Sequence, residues 1–141
     1  MRISIFLLLL SLAGCADASY RFERQDGETF VSLPLKLEGF YGLRDGATVN
    51  AEARFADGAD QVTMKIAIFL RPPAEFRSGT YEGMIGGQSV SGSVDCPSLS
   101  FLGGQTALPN VGGLFILKDD QNRPGFRVRI PSTMLTRRAS P

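Results

Sequence analysis

The strongest constraint on the fold is a period of two in the apolar residues. Val62, Met64, Ile66, Ile68 and Leu70 fall on one side of an extended chain, with Thr63, Lys65, Ala67 and Phe69 on the other. Val49, Ala51, Ala53 and Phe55 alternate in the same way with Asn50, Glu52 and Arg54, and Phe126, Val128 and Ile130 with Arg127 and Arg129. Successive side chains of a strand point to opposite faces, so these runs predict strands with one face in a core and one in water. Asp26-Gly27, Asp45-Gly46, Asp57-Gly58 and Gly86-Gly87 separate the runs, and glycine tolerates the positive φ that tight hairpins require.

Strands are predicted over 20–25, 29–37, 47–55, 61–70, 79–85, 88–95, 98–102, 112–118 and 125–130. Pro34 lacks an N–H, which confines that part of the second run to an edge or a bulge. No stretch carries a 3.6-residue period; 71–78 has room for one helical turn and 132–141 for a short helix or a tail. The pattern predicts an all-β fold, an antiparallel β-sandwich of eight or nine short strands, with a small β-barrel as the alternative. One antiparallel β domain is expected over 20–131, followed by a C-terminal tail over 132–141.

The front of the chain follows a different rule. Met1 and Arg2 open it, and residues 3–16 are then almost wholly apolar or small. A membrane-crossing helix needs roughly 20 apolar residues, so this shorter run reads as a secretory signal over residues 1–14. The run ends in Leu12-Ala13-Gly14-Cys15, which resembles the lipobox of bacterial lipoproteins. The resemblance implies that Leu12, Ala13 and Gly14 are read by a lipoprotein signal peptidase that cuts before Cys15. It also implies a diacylglyceryl group on the Cys15 thiol and an acyl chain on the new amine, with 15–19 as a short tether. Several chains anchor firmly where one alone binds only marginally. Ala16, where an inner-membrane retention signal would have aspartate, favours the outer membrane. An ordinary signal cut after Ala16 or Ala18 is the alternative.

Charge and residue types exclude several functions. Without residues 1–14 the chain keeps 127 residues and, having lost Arg2, 14 basic against 14 acidic side chains. A neutral chain of this kind has no footprint for nucleic acid. It contains no histidine, which removes Ser-His-Asp and Cys-His catalysis and the commonest zinc ligand. Asp119-Asp120-Gln121-Asn122 places oxygens close together, but Arg123, Pro124 and Gly125 follow where a calcium loop would close on glutamate. Gly103-Gly104 and Gly112-Gly113 lack the lysine and hydroxyl of a phosphate loop and read as hairpin or bulge positions. No metal and no cofactor is expected.

Cys96 is left without a partner once Cys15 is acylated. It reads either as a buried, inert side chain or as a reactive or bridging thiol; Asp95 beside it is expected to raise its pKa. Phe40 and Tyr41 in Glu38-Gly39-Phe40-Tyr41-Gly42 read as aromatics on a loop, where they could bind a partner or plug the fold. Arg127 and Arg129 share one strand face and could meet lipid head groups or acidic glycans, or simply face water. Carboxylate pairs for acid–base work are available in type among Glu38, Glu52, Glu75, Glu82 and Asp95, with no spacing that joins two in one cleft.

Together these features predict a lipid-anchored, non-catalytic envelope domain that binds or scaffolds an envelope protein. A periplasmic inhibitor of a protease or lysozyme is the second reading, and a carboxylate-dependent cell-wall hydrolase the third. Replacing the acylated sulfur tests the front end: Cys15→Ser is expected to abolish acylation and detergent-phase partitioning and to leave the precursor uncut, as read by mass spectrometry.

Overall fold

The computed structural model describes residues 20–71, 73–102 and 108–136. Nine strands carry the fold: β1 (Arg21–Asp26), β2 (Thr29–Ser32), β3 (Lys36–Asp45), β4 (Thr48–Asp57), β5 (Asp60–Phe69), β6 (Glu75–Ile85), β7 (Gln88–Leu102), β8 (Asn110–Lys118) and β9 (Pro124–Met134). All belong to one sheet in the order β2-β1-β9-β8-β7-β6-β5-β4-β3, and every neighbouring pair is antiparallel. The predicted antiparallel all-β class holds. Because there is one sheet, curled on itself, the small-barrel alternative describes it more closely than two stacked layers.

Strand direction explains how the curl closes. Alternation around the sheet makes β2, β3, β5, β7 and β9 run one way and β1, β4, β6 and β8 the other. β2 and β3 therefore run in the same direction, although they lie at opposite margins of the sheet. Leu33, Pro34 and Leu35 alone separate them, and three residues span at most about 10 Å. The two strands are halves of one broken strand: the first half pairs with β1 and the second with β4. The break falls at Pro34, which has no N–H to give to a ladder. Further along β3 the margins touch directly. Gly42 N–H donates to the Thr136 carbonyl (2.9 Å) and Thr136 N–H to the Phe40 carbonyl (3.0 Å). This bridge of Tyr41 to Thr136 is parallel, as it must be if β3 and β9 run alike.

The interior takes the apolar side of each strand. Val49, Ala51, Ala53 and Phe55 of β4 and Val62, Met64, Ile66 and Ile68 of β5 are buried, as are Phe126, Val128 and Ile130 of β9. Aromatic rings cross the interior in a chain. Tyr20 stacks on Phe55 (5.7 Å), Phe22 meets Phe55 edge-on (5.2 Å) and Phe126 (5.7 Å), and Phe126 meets Tyr81 (6.3 Å). These contacts join the start of β1 to β4, β9 and β6 at distances where ring pairs attract. Tyr20 also donates its hydroxyl to the Leu35 carbonyl (2.7 Å), which pins the residue after the break. Small residues let the strands approach: a Cβ on Gly83 would lie 2.0 Å from the Gln61 carbonyl oxygen.

The hairpins use glycine at positive φ, as predicted. Asp26↔Thr29, Asp45↔Thr48 and Asp57↔Asp60 are the closing pairs, so glycine is the first of two central residues, with φ of 64°, 61° and 60° at Gly27, Gly46 and Gly58.

Five predicted assignments are corrected. Residues 29–37 are not one strand but end at Ser32 and resume at Lys36. Glu38-Gly39-Phe40-Tyr41-Gly42 is no loop; it lies inside β3, with a bulge between Leu37 and Gly39. Residues 88–95 and 98–102 form one strand, irregular between Asp95 and Ser98 where Pro97 cannot donate. β6 begins at Glu75, so 75–78 are extended rather than helical. Residues 132–134 continue β9 and Leu135 is buried, which carries the β domain past Ile130 and shortens the expected tail.

Phe55 is met by two rings across the interior. Phe55→Ala is expected to cost about 3–5 kcal/mol in urea unfolding, with the all-β circular dichroism spectrum retained below the transition.

Candidate functional site

With the apolar faces turned inward, chemistry is left to the outer faces of the strands. The register places the outward residues of β3 to β6 in two rows. Tyr41, Glu52, Lys65 and Thr80 form one; Gly39, Arg54, Thr63 and Glu82 form the next. The Arg54 guanidinium joins the rows, donating from Nε to a Glu52 carboxylate oxygen at 2.9 Å and lying 5.6 Å from the Tyr41 ring centre. The Tyr41 ring covers Gly39: a Cβ there would sit 2.5 Å from the ring. An aromatic laid across a strand glycine shields the backbone that glycine leaves bare.

A groove of about 400 Å³ runs over this surface, lined by Glu38, Glu52, Arg54, Thr63, Lys65 and Glu82 among others. A second groove of about 360 Å³ continues along β4, β5 and β6 past Asn50, Ser78 and Thr80 and shares Glu52 and Lys65. A third, of about 470 Å³, continues over β6 and β7 past Ser89 and Ser91 and shares Gln61, Thr63 and Glu82. The result is an open surface of carboxylates, cations, hydroxyls and amides. Among the described residues no three carboxylates or cysteines converge to hold a metal ion. Chemically the surface can hydrogen-bond and pair charge with a polar ligand across several strands.

The sequence-predicted residues fall in different places. Tyr41 flanks the groove, whereas Phe40 beside it points inward and is 4 % exposed; it packs the core and offers nothing to a partner. Arg127 and Arg129 do share the outer face of β9 but differ in company. Arg127 pairs with Glu23 across the strands (2.9 Å) and lies 3.5 Å over the Phe30 ring, so it clamps β1, β2 and β9 together. Arg129 is exposed and stands opposite Arg21. Leu12, Ala13, Gly14 and Cys15 lie outside the described residues, as do Gly103 and Gly104. Gly112 and Gly113 are in β8. Asp119 organises the polar hairpin: one oxygen accepts from Gln121 and Arg123 N–H (3.0 and 2.9 Å), the other from Arg123 Nε (3.1 Å). The Arg123 backbone N–H, first among these, holds the Asp119 carboxyl below its ordinary pKa.

Comparison with protein-family models, curated proteins and solved structures returns no match.

The groove was not foreseen because its members come from four strands and each is an ordinary outward polar residue. Its one trace in the sequence is parity: Glu52 and Arg54 on β4 and Thr63 and Lys65 on β5 share the phase opposite the core residues.

Cys96 is half-buried at the β7 irregularity, its thiol within 3.4 Å of the Ser98 carbonyl. Burial pushes its pKa up from 9.0 to about 11. Asp95, expected to cause such a rise, instead pairs with Lys118. A raised pKa means the fold favours the protonated thiol, so this contribution to stability is present below pH 9 and fades as pH climbs toward 11. The Cys96 alkylation rate in the folded protein is expected to keep rising toward pH 11, beyond the point at which the unfolded chain has levelled off.

Proposed function

We propose that this chain is a lipid-anchored, non-catalytic domain of the bacterial envelope that binds another envelope component through the polar outer face of β3 to β6. The reading joins the lipobox resemblance at Leu12-Ala13-Gly14-Cys15, with Ala16 favouring the outer membrane, to one structural observation. The Tyr41–Arg54–Glu52 cluster lies beside Lys65, Thr63 and Glu82 on an open surface. Mixed charge in fixed register gives specificity and orientation more than raw affinity, which suits a protein already concentrated at a membrane by its anchor.

A protein partner fits this surface better than a small molecule. The grooves are open, run over five strands and bring hydroxyls and amides between the charges, whereas small ligands favour enclosed and largely apolar cavities. Catalysis has less support, since the chain has no histidine and Glu52 is occupied by Arg54.

The inhibitor reading draws on a separate observation. The connections β1–β2, β4–β5 and β8–β9 lie at one end of the barrel and carry Asp26, Glu28, Asp57, Asp60, Asp119 and Asp120 against Lys118 and Arg123. An acidic end is complementary to a cationic enzyme such as lysozyme.

The double variant Arg54→Glu, Lys65→Glu tests the first reading. In capture from solubilised membranes, the wild-type chain is expected to retain a partner that the variant loses by about tenfold or more, with thermal unfolding little changed. Equal capture by both would overturn the assignment to this face. Inhibition of lysozyme or a protease that survives the double variant and fails on neutralising the acidic end would favour the second reading.

A further inference from the structure

We propose that the barrel stands on an anionic lipid surface by the end opposite its acidic turns, using Arg44, Arg71 and Arg77 with Leu43 and Leu102. The proposal rests on the lipid-anchor reading and deepens it by naming the face turned to the membrane.

Strand direction divides the connections between two ends. The rim carries the β1–β2, β4–β5, β6–β7 and β8–β9 turns, with six carboxylates against Arg123 and Lys118, the latter closing the β8–β9 turn opposite Pro124 and pairing with Asp95. The base carries the β3–β4 turn, the β5–β6 and β7–β8 connections and the close of β9. There Arg44, Arg71 and Arg77 stand against Asp45 and Glu75, so the sign of the net charge reverses from rim to base. Thr136 leaves the sheet at the base, and the next two residues in sequence are Arg137 and Arg138.

The two largest apolar exposures are at the base, with the lesser ones of Val31 and Met84 toward the rim. Leu43 is 65 % exposed and Leu102 66 %, the highest values among the large hydrophobic side chains described. Leu43 lies two residues before the β3–β4 turn and Leu102 ends β7, so both are at the base, four strands apart around the barrel. Arg71 and Arg77 flank the Phe69 ring there, at 5.5 and 5.2 Å from its centre. Isolated apolar side chains next to arginines are the residues that enter the boundary between head groups and acyl chains.

The anchor is consistent with this geometry. β1 runs from base toward rim, so the chain enters the domain from the base side, and Cys15 precedes Tyr20 by five residues. Five residues reach at most about 17 Å, which keeps the barrel close to the surface. An anionic surface attracts the base and repels the six carboxylates of the rim.

The test uses the full acylated chain in vesicles of phosphatidylcholine, with or without phosphatidylglycerol. In a Cys96→Ser background a fluorophore is placed at Ser100→Cys near the base or at Ala59→Cys on the rim, and quenching by nitroxide-headgroup lipid is read. The base label is expected to be quenched in vesicles containing phosphatidylglycerol and released by high salt, with the rim label unaffected. Each of Arg44→Gln, Arg71→Gln and Arg77→Gln is expected to lower the docked-to-undocked ratio about fivefold. Equal quenching of the two labels, preference for the rim, or base quenching indifferent to phosphatidylglycerol and salt overturns the proposal. Flotation of the vesicles in high salt is scored first. A chain that washes off shows that the anchor reading itself fails, and the orientation falls with it; a chain that floats with its base unquenched removes the orientation alone.

Discussion

Every other feature of this molecule depends on the break at Leu33-Pro34-Leu35. A sheet with margins at β2 and β3 would present two rows of unpaired N–H and C=O groups, the usual route to edge-to-edge aggregation. The break lets one strand serve both margins, pairing with β1 before Pro34 and with β4 after Leu35. Tyr20 holds the Leu35 carbonyl and Thr136 ties into β3 between Phe40 and Gly42.

Closure determines where function can be. A small barrel fills its interior with side chains, and here a chain of five rings from Tyr20 to Tyr81 crosses that space among buried aliphatic groups. No charged or polar residue is buried among those described. An interior of this composition has no polar handle with which to orient a ligand. Recognition falls to the outward side chains and to the two ends, and outward side chains of β3 to β7 line the grooves.

Much of this was legible in the chain, for physical reasons that also mark where legibility stops. Strands β4, β5 and β9 could be read because their apolar residues alternate with polar ones without interruption. β3 could not, because Gly39 and Gly42 resemble loop punctuation; in the fold one glycine lies beneath the Tyr41 ring and the other beside Leu135. Phe40 and Tyr41, taken as a pair, are separated by that same alternation, one to the core and one to the groove. The gap left between strands at Cys96-Pro97 proved to be an irregularity within one long strand. The groove depends on register between strands, which no single stretch encodes.

The charge difference between the two ends has unequal origins. Several rim acids are required by the turns themselves: Asp119 accepts from two backbone N–H groups of its hairpin, and Asp60 accepts from Gly86 N–H at 3.0 Å, tying two turns together. Asp26 and Asp57 sit in closing pairs beside glycine, where aspartate is a common turn residue. Acidity at the rim is thus partly a by-product of building four short connections at one end. The base arginines are different. Arg71 and Arg77 lie over the Phe69 ring, Arg77 also pairs with the exposed Glu75, and Arg44 donates to the carbonyl of Gly46. No turn geometry calls for their charge as the rim turns call for aspartate, and with the exposure of Leu43 and Leu102 it is the part of the polarity that bears on what the base meets.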